Sequence, residues 1–405
     1  MASEWVVRIV SGSAVLVASG WISFVVRMVL HRRQRPPRLD ALPDDPPAGG
    51  WPTLAVAFAA RNEAAMVGAA TRSMLAQDYP GLNIIAVDDR STDGTGAILD
   101  DLARADSRLS VIHVETLPPG WLGKNHALQA AAESTTAEWV LLTDADVVFA
   151  PAALRRAVAY AVAQRLDHLT MAPDVITVAV GERAFMAMFS LLFILHAPPW
   201  RVIDRRSKAA MGVGAFNLVR AEAFHAISGF RRLALSVDDD MKLGQALKFA
   251  GYRPGLVLGQ GQVVVRWHVG IMGMIRGIEK NFYAAVDFKR SRVVVALVAL
   301  PVLGVLPYVG VFVGPWWARS ICAAGVGSIA LMLRDAAGIS GIRWYHALVV
   351  PIGALACFAA LARSVFVTLR NGGVLWRDHL YPLAELKTHV ARRNAWLNEL
   401  WRSTR

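Results

Sequence analysis

Short apolar runs alternate with amphipathic stretches between residues 53 and 143, and this alternation constrains the fold more than any other feature. The apolar runs have the length of strands, and the stretches between them have the length and periodicity of helices. We predict strands over 53–60, 82–87, 109–114 and 139–143, and helices over 63–76, 94–104 and 124–133. Short connections in this order predict an α/β domain with a mostly parallel sheet and flanking helices.

Two carboxylate clusters directly follow two of these apolar runs. Asp88 and Asp89 come after the second run, and Asp144 and Asp146 come after the fourth. In an open parallel sheet, ligands bind outside the carboxyl ends of the strands, so acids from different strands can converge there. A D-x-D pair suits a hard divalent cation that is held by few carboxylate oxygens and shared with a substrate phosphate. The two clusters therefore indicate a nucleotide-diphosphate site with a metal.

The composition is too apolar for a purely soluble enzyme, because 55% of the 405 residues are hydrophobic and only 18% are charged. An uncharged stretch of spanning length, 9–26, is followed at once by the basic cluster 31–38. A signal peptide would carry its positive charges before the apolar core, so we predict a retained anchor over 1–31 and a linker over 32–52. The positive-inside rule then places the following residues in the cytoplasm.

Apolar stretches return after residue 290, and we predict transmembrane helices within 291–370 and a basic, cytoplasmic tail over 371–405. The stretches are 293–318, 316–333 and 344–362. Three crossings would leave the tail outside, so one stretch is expected to be re-entrant or interfacial, and the proline-broken first one fits best. The uncharged run 184–200 is slightly short for a span and is predicted to be a helix in the membrane interface.

The net charge of +12 raises the question of nucleic acid, but much of the basic excess flanks the apolar stretches. Attraction to anionic lipid headgroups explains it better. We therefore expect a membrane partner, no nucleic acid, and no obligate protein partner. Cys322 and Cys357 provide neither a disulfide framework nor a zinc spacing.

Several motifs stand in order at a characteristic spacing, and together they resemble the signature of family 2 glycosyltransferases with the GT-A fold, which is Rossmann-like. They are Ala59-Ala60-Arg61-Asn62-Glu63, Val87-Asp88-Asp89-Arg90-Ser91-Thr92-Asp93-Gly94-Thr95 and Thr143-Asp144-Ala145-Asp146. Asp238-Asp239-Asp240-Met241-Lys242-Leu243-Gly244 resembles the acidic helix start that carries the family's base. Pro118-Pro119-Gly120-Trp121-Leu122-Gly123-Lys124 is similar to a segment of membrane-bound members that modify lipids, including hopanoid- and carotenoid-associated ones. The resemblance implies a GT-A domain over 53–290 and a membrane-bound, inverting enzyme.

The resemblance also implies a site for a nucleotide-sugar donor, and we expect this donor to be UDP-linked. Asp89 would contact the nucleobase with Asp88 beside it, and the loop that carries Arg61 and Glu63 would close over the nucleoside. A carboxylate that accepts from an imide N–H explains a preference for uracil. Lys124 starts a predicted helix after a glycine-containing loop, which is a natural approach to phosphate.

Asp144 and Asp146 would hold Mg²⁺ or Mn²⁺ against the diphosphate, because residues two apart in an extended segment face one side. Asp146 is the preferred direct ligand. Asp240 is predicted to be the general base, with Asp239 as the alternative, since three consecutive acids leave the register open by one residue. Repulsion among these acids is expected to raise at least one pKa. Complementing a helix dipole is the alternative role for them.

Further candidates lie beyond these motifs. Arg276 and Lys280 are four apart on an amphipathic helix predicted over 271–288 and would meet the leaving diphosphate; snorkelling to lipid headgroups is an equal alternative. Family members that make polymers carry a Gln-x-x-Arg-Trp motif here, and only the arginine matches. Phe216 lies in a predicted strand over 211–219 that resembles the acceptor side, with simple strand packing as the alternative.

The leading hypothesis is a multi-pass glycosyltransferase of the inner membrane whose catalytic domain faces the cytoplasm. It would move a sugar from a nucleotide diphosphate to a hydroxyl of a membrane lipid. Polysaccharide synthesis with export is one alternative, and it predicts more spans and the full polymerase motif. Transfer to a polyprenyl phosphate is another, and it would need no base. A catalytically inactive membrane scaffold is the alternative from a different class.

Overall fold

The computed structural model describes residues 2–335 and 341–404, and these divide into two compact units. The helical unit and the sheet unit each draw on separate segments of the chain, so neither is one continuous domain. The helical unit consists of the described residues in 2–35, 176–196 and 267–376, and the sheet unit consists of those in 36–175, 197–266 and 377–404. The segment boundaries predicted from the sequence, 53–290 for one domain and 371–405 for a tail, do not coincide with this division.

The described residues form the following strands and helices. The strands are β1 Leu54–Ala60, β2 Leu82–Asp89, β3 Leu109–Val114, β4 Trp139–Asp144, β5 Val147–Phe149, β6 His168–Ala172, β7 Asp174–Val175, β8 Asn217–Arg220, β9 Pro254–Leu258, β10 Val263–Val265, β11 Gly373–Trp376 and β12 His379–Pro382. The α-helices are α1 Ala2–Leu30, α2 Val67–Leu75, α3 Thr95–Ala105, α4 Gly123–Glu133, α5 Ala153–Ala163, α6 Val180–His196, α7 Pro199–Ile203, α8 Ala221–Ala226, α9 Asp239–Phe249, α10 Gly270–Gly277, α11 Glu279–Ala285, α12 Arg290–Gly304, α13 Leu306–Gly310, α14 Trp316–Asp335, α15 Val350–Arg370 and α16 Leu383–Ser403.

The sheet unit is built on a seven-stranded sheet in the order β3-β2-β1-β4-β8-β6-β9. Strands β1 to β4 run parallel, and β8 runs antiparallel to both of its neighbours. Strand β1 is buried along almost its whole length, as expected for a central strand with both faces covered. The predicted mostly parallel α/β sheet is therefore confirmed.

The strand order reverses between β1 and β4, which makes this edge of the sheet a topological switch point. Ala59 pairs with Asp144 on one side, and Ala60 pairs with Asp88 on the other. The carboxyl ends of β1, β2 and β4 therefore meet at one place. Open α/β sheets bind their ligands at such a place, because the connecting loops diverge there and leave a crevice.

One side of the sheet carries a core that includes the end of the chain. Val87 of β2 and Leu142 of β4 pack in one buried cluster with Leu128 of α4, Leu243 of α9 and Leu397 of α16. The C-terminal segment, which the sequence predicts only as a basic tail, is thus a helix that belongs to the core of the sheet unit. Its apolar residues recur at helical spacing and bury one face.

Two predicted elements differ from the structure for local reasons. The strand predicted over 211–219 is wrong for its first six residues, because the Phe216 N–H donates to the Val213 carbonyl at 2.9 Å and closes a turn. The helix predicted over 271–288 is two helices, α10 and α11, which are separated at Ile278. The three-stranded sheet β5-β10-β7 was not predicted, since its strands have at most three residues each.

The helical unit contains the most apolar helices of the described chain. Helix α1 packs against α13 and α14, and α15 packs against α6, α11 and α12. Close approach rests on small residues: a side chain at Gly325 would collide with Ala18. The indole N–H of Trp21 donates to the Leu303 carbonyl at 3.1 Å, so this buried donor is satisfied.

Five helical segments of the described chain are long and apolar enough to cross a membrane. They are Glu4–Leu30, Val180–Ile203, Arg290–Gly310, Trp316–Asp335 and Trp344–Arg370. Four of them coincide with the apolar stretches singled out in the sequence. The fifth, Val180–Ile203, covers the run that was predicted to lie in the membrane interface.

Gly244 of α9 gives a test of how closely this helix approaches the loop before β8. A Cβ at Gly244 would collide with the backbone carbonyl of Met211. We expect Gly244→Ala to destabilise the protein by about 1–3 kcal/mol, because backbone cannot give way as a side chain can. A glycine-to-alanine change in an uncrowded helix would instead gain up to about 1 kcal/mol. The measurement is the thermal unfolding midpoint in detergent.

Gly49→Ala is the control for this prediction, since nothing lies within 4 Å of the position that its Cβ would take. It is expected to leave the midpoint unchanged. Equal midpoints for the Gly244→Ala and wild-type proteins would contradict the close packing of α9.

Candidate active site

The centre of the candidate site is the ammonium group of Lys124, which stands in the first turn of α4. Its Nζ lies 2.6 Å from Oδ1 of Asp144 at the end of β4 and 3.7 Å from Oδ2 of Asp239 at the start of α9. Burial by itself lowers the pKa of Lys124, but the charges of Asp144, Asp239 and Asp240 outweigh it and raise the pKa well above its ordinary value. A permanently charged lysine therefore holds together acids from two separate elements.

The carboxylate of Asp240 is fixed by two backbone amides. Its Oδ2 accepts from the N–H of Gly214 at 2.8 Å, and its Oδ1 accepts from the N–H of Met241 at 2.7 Å. Burial, and after it the charge of Asp239, raises the pKa of Asp240 to about 7. The repulsion anticipated from the three consecutive acids is thus present, but burial contributes more. A carboxylate with this pKa can accept a proton near neutral pH.

A loop of small residues lies between these acids. A Cβ at Gly214 would come within 2.7 Å of Oδ2 of Asp144 and 3.3 Å of Nζ of Lys124. A Cβ at Gly212 would collide with the backbone carbonyl of Asp240. Only glycine allows the backbone to pass so close to both β4 and α9, which explains the small-residue pattern seen in the sequence.

Asp146 lies two residues beyond Asp144, and the charge of Glu63 acts on its carboxyl group. Burial, followed by the charges of Asp144 and Glu63, raises the pKa of Asp146 to about 7. Lys124 opposes this shift, but it contributes less than either acid. The end of β4 is therefore a place with more negative charge than the protein itself neutralises.

A divalent cation fits this place, although the protein alone would not enclose one. Among residues 2–335 and 341–404, no group of three or more His, Cys, Asp or Glu side chains is arranged to hold a metal ion. Mg²⁺ sites of nucleotide enzymes use one or two carboxylates and complete the shell with substrate phosphates and water. Asp144 and Asp146 offer that donor set, and a cation there would offset the charges of Asp144 and Glu63, which after burial raise the pKa of Asp146.

Asp88 and Asp89 are buried at the carboxyl end of β2 and have different partners. Asp88 accepts from the Ser91 N–H at 3.3 Å and lies 3.1 Å from Nδ1 of His113. Asp89 forms a two-point ion pair with Arg90, at 2.7 Å and 3.0 Å. Asp88 thus closes the turn after β2, which favours a structural role for it. Asp89 is the more deeply buried of the two carboxylates.

Asp89 lies against Gly123 at the start of α4, and Gly123 directly precedes Lys124. A Cβ at Gly123 would collide with Oδ2 of Asp89 and come within 2.7 Å of the Arg90 guanidinium. The contacts therefore run without a gap from Asp89 through Gly123 and Lys124 to Asp144. The acids of β2, β4 and α9 surround one region of the sheet unit, as the sequence analysis requires.

The loop after β1 brings Arg61 and Glu63 to the same edge. The Glu63 N–H donates to Oγ1 of Thr95 at 2.8 Å, which ties this loop to the start of α3. Its carboxylate forms an ion pair with Arg377. Nε of Arg61 is buried and has no hydrogen-bond partner within the described part of the chain. A buried guanidinium nitrogen without a partner is costly, and a ligand atom would satisfy it.

Comparison with known proteins identifies the family of the domain that carries this site. Residues 55–227 match the family model of Glycosyl transferase family 2. The chain carries a family 2 glycosyltransferase domain. Its mostly parallel sheet with flanking helices is the GT-A fold.

Curated proteins of similar sequence are named for one kind of product. Beta-monoglucosyldiacylglycerol synthase from Synechocystis sp. is 27% identical over 232 residues, which are 54% of this chain and 46% of the relative. The protein of the same name from Nostoc sp. is 31% identical over 100 residues, which are 24% of this chain and 21% of the relative. The chain thus spans about half the length of the first relative.

The solved structures that resemble this chain include a mannosyltransferase. Mannosyltransferase PcManGT from Pyrobaculum calidifontis, in complex with GDP-Man and Mn²⁺, has 18% identity and a TM-score of 0.47 over 98% of each chain. TarS from S. aureus has 14% identity and a TM-score of 0.41 over 71% of this chain and 53% of that chain.

The remaining predicted residues make contacts of other kinds. Phe216 is fully buried, with its ring 6.3 Å from that of Phe149, which favours the packing interpretation. Arg276 is exposed on α10, and Lys280 stands on α11 with its Nζ 3.4 Å from the centroid of the Trp376 ring. These two cations belong to the helical unit and to different helices, so the shared helix face expected for them does not exist.

The structure adds residues that the sequence analysis did not single out. The phenol of Tyr381 lies near the Gly123 amide and near Arg90 and Asp89, and burial first of all raises its pKa. His126 lies near the same pair, and burial lowers its pKa. Tyr381 is more than 250 residues from Gly123 in sequence. No local pattern could have connected them.

Lys124→Met tests whether the lysine balances the acids around it. Removing one partner of a buried charge cluster costs about 3 kcal/mol, so we expect an unfolding midpoint several degrees lower at pH 8 in EDTA. Without the ammonium, the folded-state pKa values of Asp146 and Asp240 rise further, and the folded state then binds more protons than the unfolded state. Stability is therefore lost as pH rises, and the deficit against wild type should grow from pH 5 to pH 8.

The control for this prediction is Lys387→Met, which removes an exposed lysine of α16 in the same unit. Its midpoint should follow that of the wild type at every pH. A deficit of the Lys124→Met variant that is constant with pH would show that the lysine acts by packing alone.

Proposed function

We propose that the protein is a membrane-bound inverting glycosyltransferase that moves a sugar from a UDP-sugar to a hydroxyl group of a membrane lipid. The observation that carries this proposal is the cluster around Lys124, in which the candidate base, Asp240, and the candidate metal ligand, Asp144, share one cation. Two relatives are named for making monoglucosyldiacylglycerol. We therefore propose diacylglycerol, or a lipid with a similar hydroxyl, as the acceptor.

Asp240 would act as general base. Its carboxylate takes the proton of the acceptor hydroxyl while that oxygen forms a bond to the anomeric carbon. The bond from this carbon to the diphosphate oxygen breaks on the opposite face, and the diphosphate leaves with the electron pair. Attack in line on an α-linked donor gives a β-linked product, which agrees with the linkage in the relatives' names.

Lys124 would stabilise the leaving diphosphate. It stands at the amino end of α4, where the helix dipole adds to its charge, and it is already held in place by Asp144 and Asp239. Preorganised positive charge of this kind lowers the barrier because it need not reorient as the bond breaks. Mg²⁺ or Mn²⁺ at Asp144 and Asp146 would supply further charge stabilisation to the diphosphate when bound.

Asp89 and Arg61 would bind the nucleoside. Asp89 lies against Gly123, the residue before Lys124 on α4. A nucleoside bound to Asp89 would therefore extend its phosphates toward the ammonium. A carboxylate acceptor matches the imide N–H of uracil. Nε of Arg61, which is buried without a partner in the described chain, would gain one from the donor.

Chain continuity supports an interfacial and a re-entrant segment. The sheet unit is one compact body made from three chain segments, so all three lie on one side of a bilayer. Segment 176–196 connects two parts of the sheet unit, so it begins and ends on the same side of the bilayer. This favours an interfacial helix over a single crossing. The chain over 267–376 must cross an even number of times, and the prolines at 301 and 307 favour α12–α13 as the re-entrant element. The basic residues after α1 support a cytoplasmic position of the sheet unit.

The alternative functions differ in measurable ways. A polysaccharide synthase would release products with many sugars, whereas the proposed enzyme adds one sugar to each lipid. Transfer to a polyprenyl phosphate would proceed without Asp240, since a phosphate oxygen carries no proton that must be removed. An inactive scaffold would bind no donor, and the clustering of Asp89, Asp144 and Asp240 around one lysine does not favour it.

Asp240→Asn is expected to lower transfer from UDP-glucose to diacylglycerol in mixed micelles by about 10²–10⁴-fold, because a positioned base contributes that much. UDP affinity, measured by calorimetry, should stay within a few fold. Asp78→Asn is the matched control, since Asp78 is 83% exposed and remote from the acids of the site in the contacts of the sheet unit. Full activity of the Asp240→Asn variant would favour a phosphate acceptor.

The pH profile gives an independent check of the same residue. The base works only when it is ionised, and the pKa of Asp240 is raised to about 7. We therefore expect kcat/KM to fall as pH drops through about 7, well above the ordinary aspartate value of about 4. An acidic limb near pH 4 would show that a different or a solvated carboxylate titrates.

Asp146→Asn tests the metal site. EDTA is expected to abolish transfer by the wild type, and added Mn²⁺ or Mg²⁺ should restore it. The variant should need about tenfold more metal or more for half-maximal activity, since losing a ligand weakens affinity at least as much as losing an outer partner does. Full activity of the wild type in EDTA would remove the metal from the proposal.

A further inference from the structure

Arg393 of α16 is almost fully buried beside the three consecutive acids. Its Nη1 lies 2.9 Å from Oδ1 of Asp238 and 3.4 Å from Oγ of Ser236. Its side chain also donates to Oδ1 of Asn394 at 3.2–3.3 Å. A guanidinium is costly to bury, so this arrangement needs its partners, and Asp238 carries the opposite charge.

The three acids have different partners. Asp238 is paired with Arg393 of α16, and Asp239 lies 3.7 Å from Lys124 of α4. Asp240 accepts from two backbone amides. The three carboxylates are therefore not equivalent, although the sequence presents them as a uniform run. Arg393 removes the first of them from the cluster around the lysine.

Asp238 occupies the N-cap position of α9, where an aspartate ordinarily accepts a hydrogen bond from the second or third amide of the helix. Within the described structure it makes no such bond, because its carboxylate is turned to Arg393. The third amide is that of Met241, and it donates to Asp240 instead. Lys242, 3.6 Å from Asp238, stands on α9 itself and cannot tie this acid to another element.

The loop before the acids is held from both sides. The side-chain amide of Asn125, next to Lys124 on α4, donates to the carbonyls of Leu233, Ala234 and Ser236 at 2.9–3.2 Å. From α16, Nε2 of His389 lies 3.2 Å from Oγ of Ser236. Arg393 thus stands at the end of a network that fixes this loop between the two helices.

We propose that Arg393 is a positioning residue that selects Asp240 as the base. It holds Asp238 away from the first amides of α9, and this leaves the Met241 amide to orient Asp240. This inference rests on the proposed function, in which Asp240 is the base. It adds the C-terminal helix, which lies beyond the matched residues 55–227, to the parts that the reaction needs.

Arg393→Met is expected to lower kcat by about tenfold or more, because a misplaced base loses much of its contribution. KM for UDP-glucose and the affinity for UDP should stay within about twofold, since Arg393 is paired with Asp238 beside the base rather than assigned to the nucleoside. Arg392→Met is the matched control, because Arg392 is the neighbouring residue on α16 and is exposed. It should leave kcat and KM unchanged.

The double variant Arg393→Met with Asp238→Ala separates positioning from simple stabilisation. Alanine can neither cap α9 nor compete for the Met241 amide, so kcat per UDP-binding site should recover at least about threefold over the single variant. If Arg393 only fastened α16, removing Asp238 as well would restore nothing, and this result would overturn the proposal. The double variant can still be measured if Arg393→Met alone does not fold, because it removes both partners of the ion pair and leaves no unpaired Asp238 carboxylate.

A crystal structure of the Arg393→Met variant decides the inference independently of any transfer assay. We expect the Asp238 carboxylate to accept from the Met241 amide and the bond between Gly214 and Asp240 to be lost. Unchanged positions of Asp238 and Asp240 would refute the inference, even if the wild type proved to transfer sugar. Conversely, a wild type that transfers no sugar to any lipid would refute the proposed function, while this structure would still show what Arg393 holds.

Discussion

The ammonium of Lys124 is the interaction on which the candidate site depends. Asp144 comes from a strand and Asp239 and Asp240 come from a helix that follows almost a hundred residues later, and all three contribute to the raised pKa of this lysine. Carboxylates so close together repel one another, and burial strengthens the repulsion. One partly buried cation therefore makes the assembly of the site possible, and the glycines at 212 and 214 leave space for it.

The same principle of paired charge extends to the end of the chain. Arg377 forms an ion pair with Glu63, and Arg393 forms one with Asp238. The last described segment thus touches the donor side and the base side of the sheet unit. Together with Leu397 in the core, these contacts give the basic residues of this segment a structural purpose besides attraction to lipid headgroups.

Much of the fold was predictable, because strand and helix periodicity are local properties of a chain. The four parallel strands, the carboxyl ends that carry acids, and the helix after Asp238 all follow from patterns within a few residues. Predictions failed where a side chain decided the path. Asn217 binds both the N–H and the carbonyl of Val213 and curls the loop before β8, which reads as a strand by composition alone.

The sequence by itself determined the type of sheet, the family to which the domain belongs and the acids that stand at the switch point. Each of these depends on patterns within short contiguous stretches of the chain. Only the tertiary structure decided how Asp238, Asp239 and Asp240 divide their partners, because Arg393, Lys124 and Gly214 reach them from distant parts of the chain. A run of identical residues carries no local information about which of them faces which partner. That distinction arises when α4, α9 and α16 pack together and each carboxylate meets a different charge or amide.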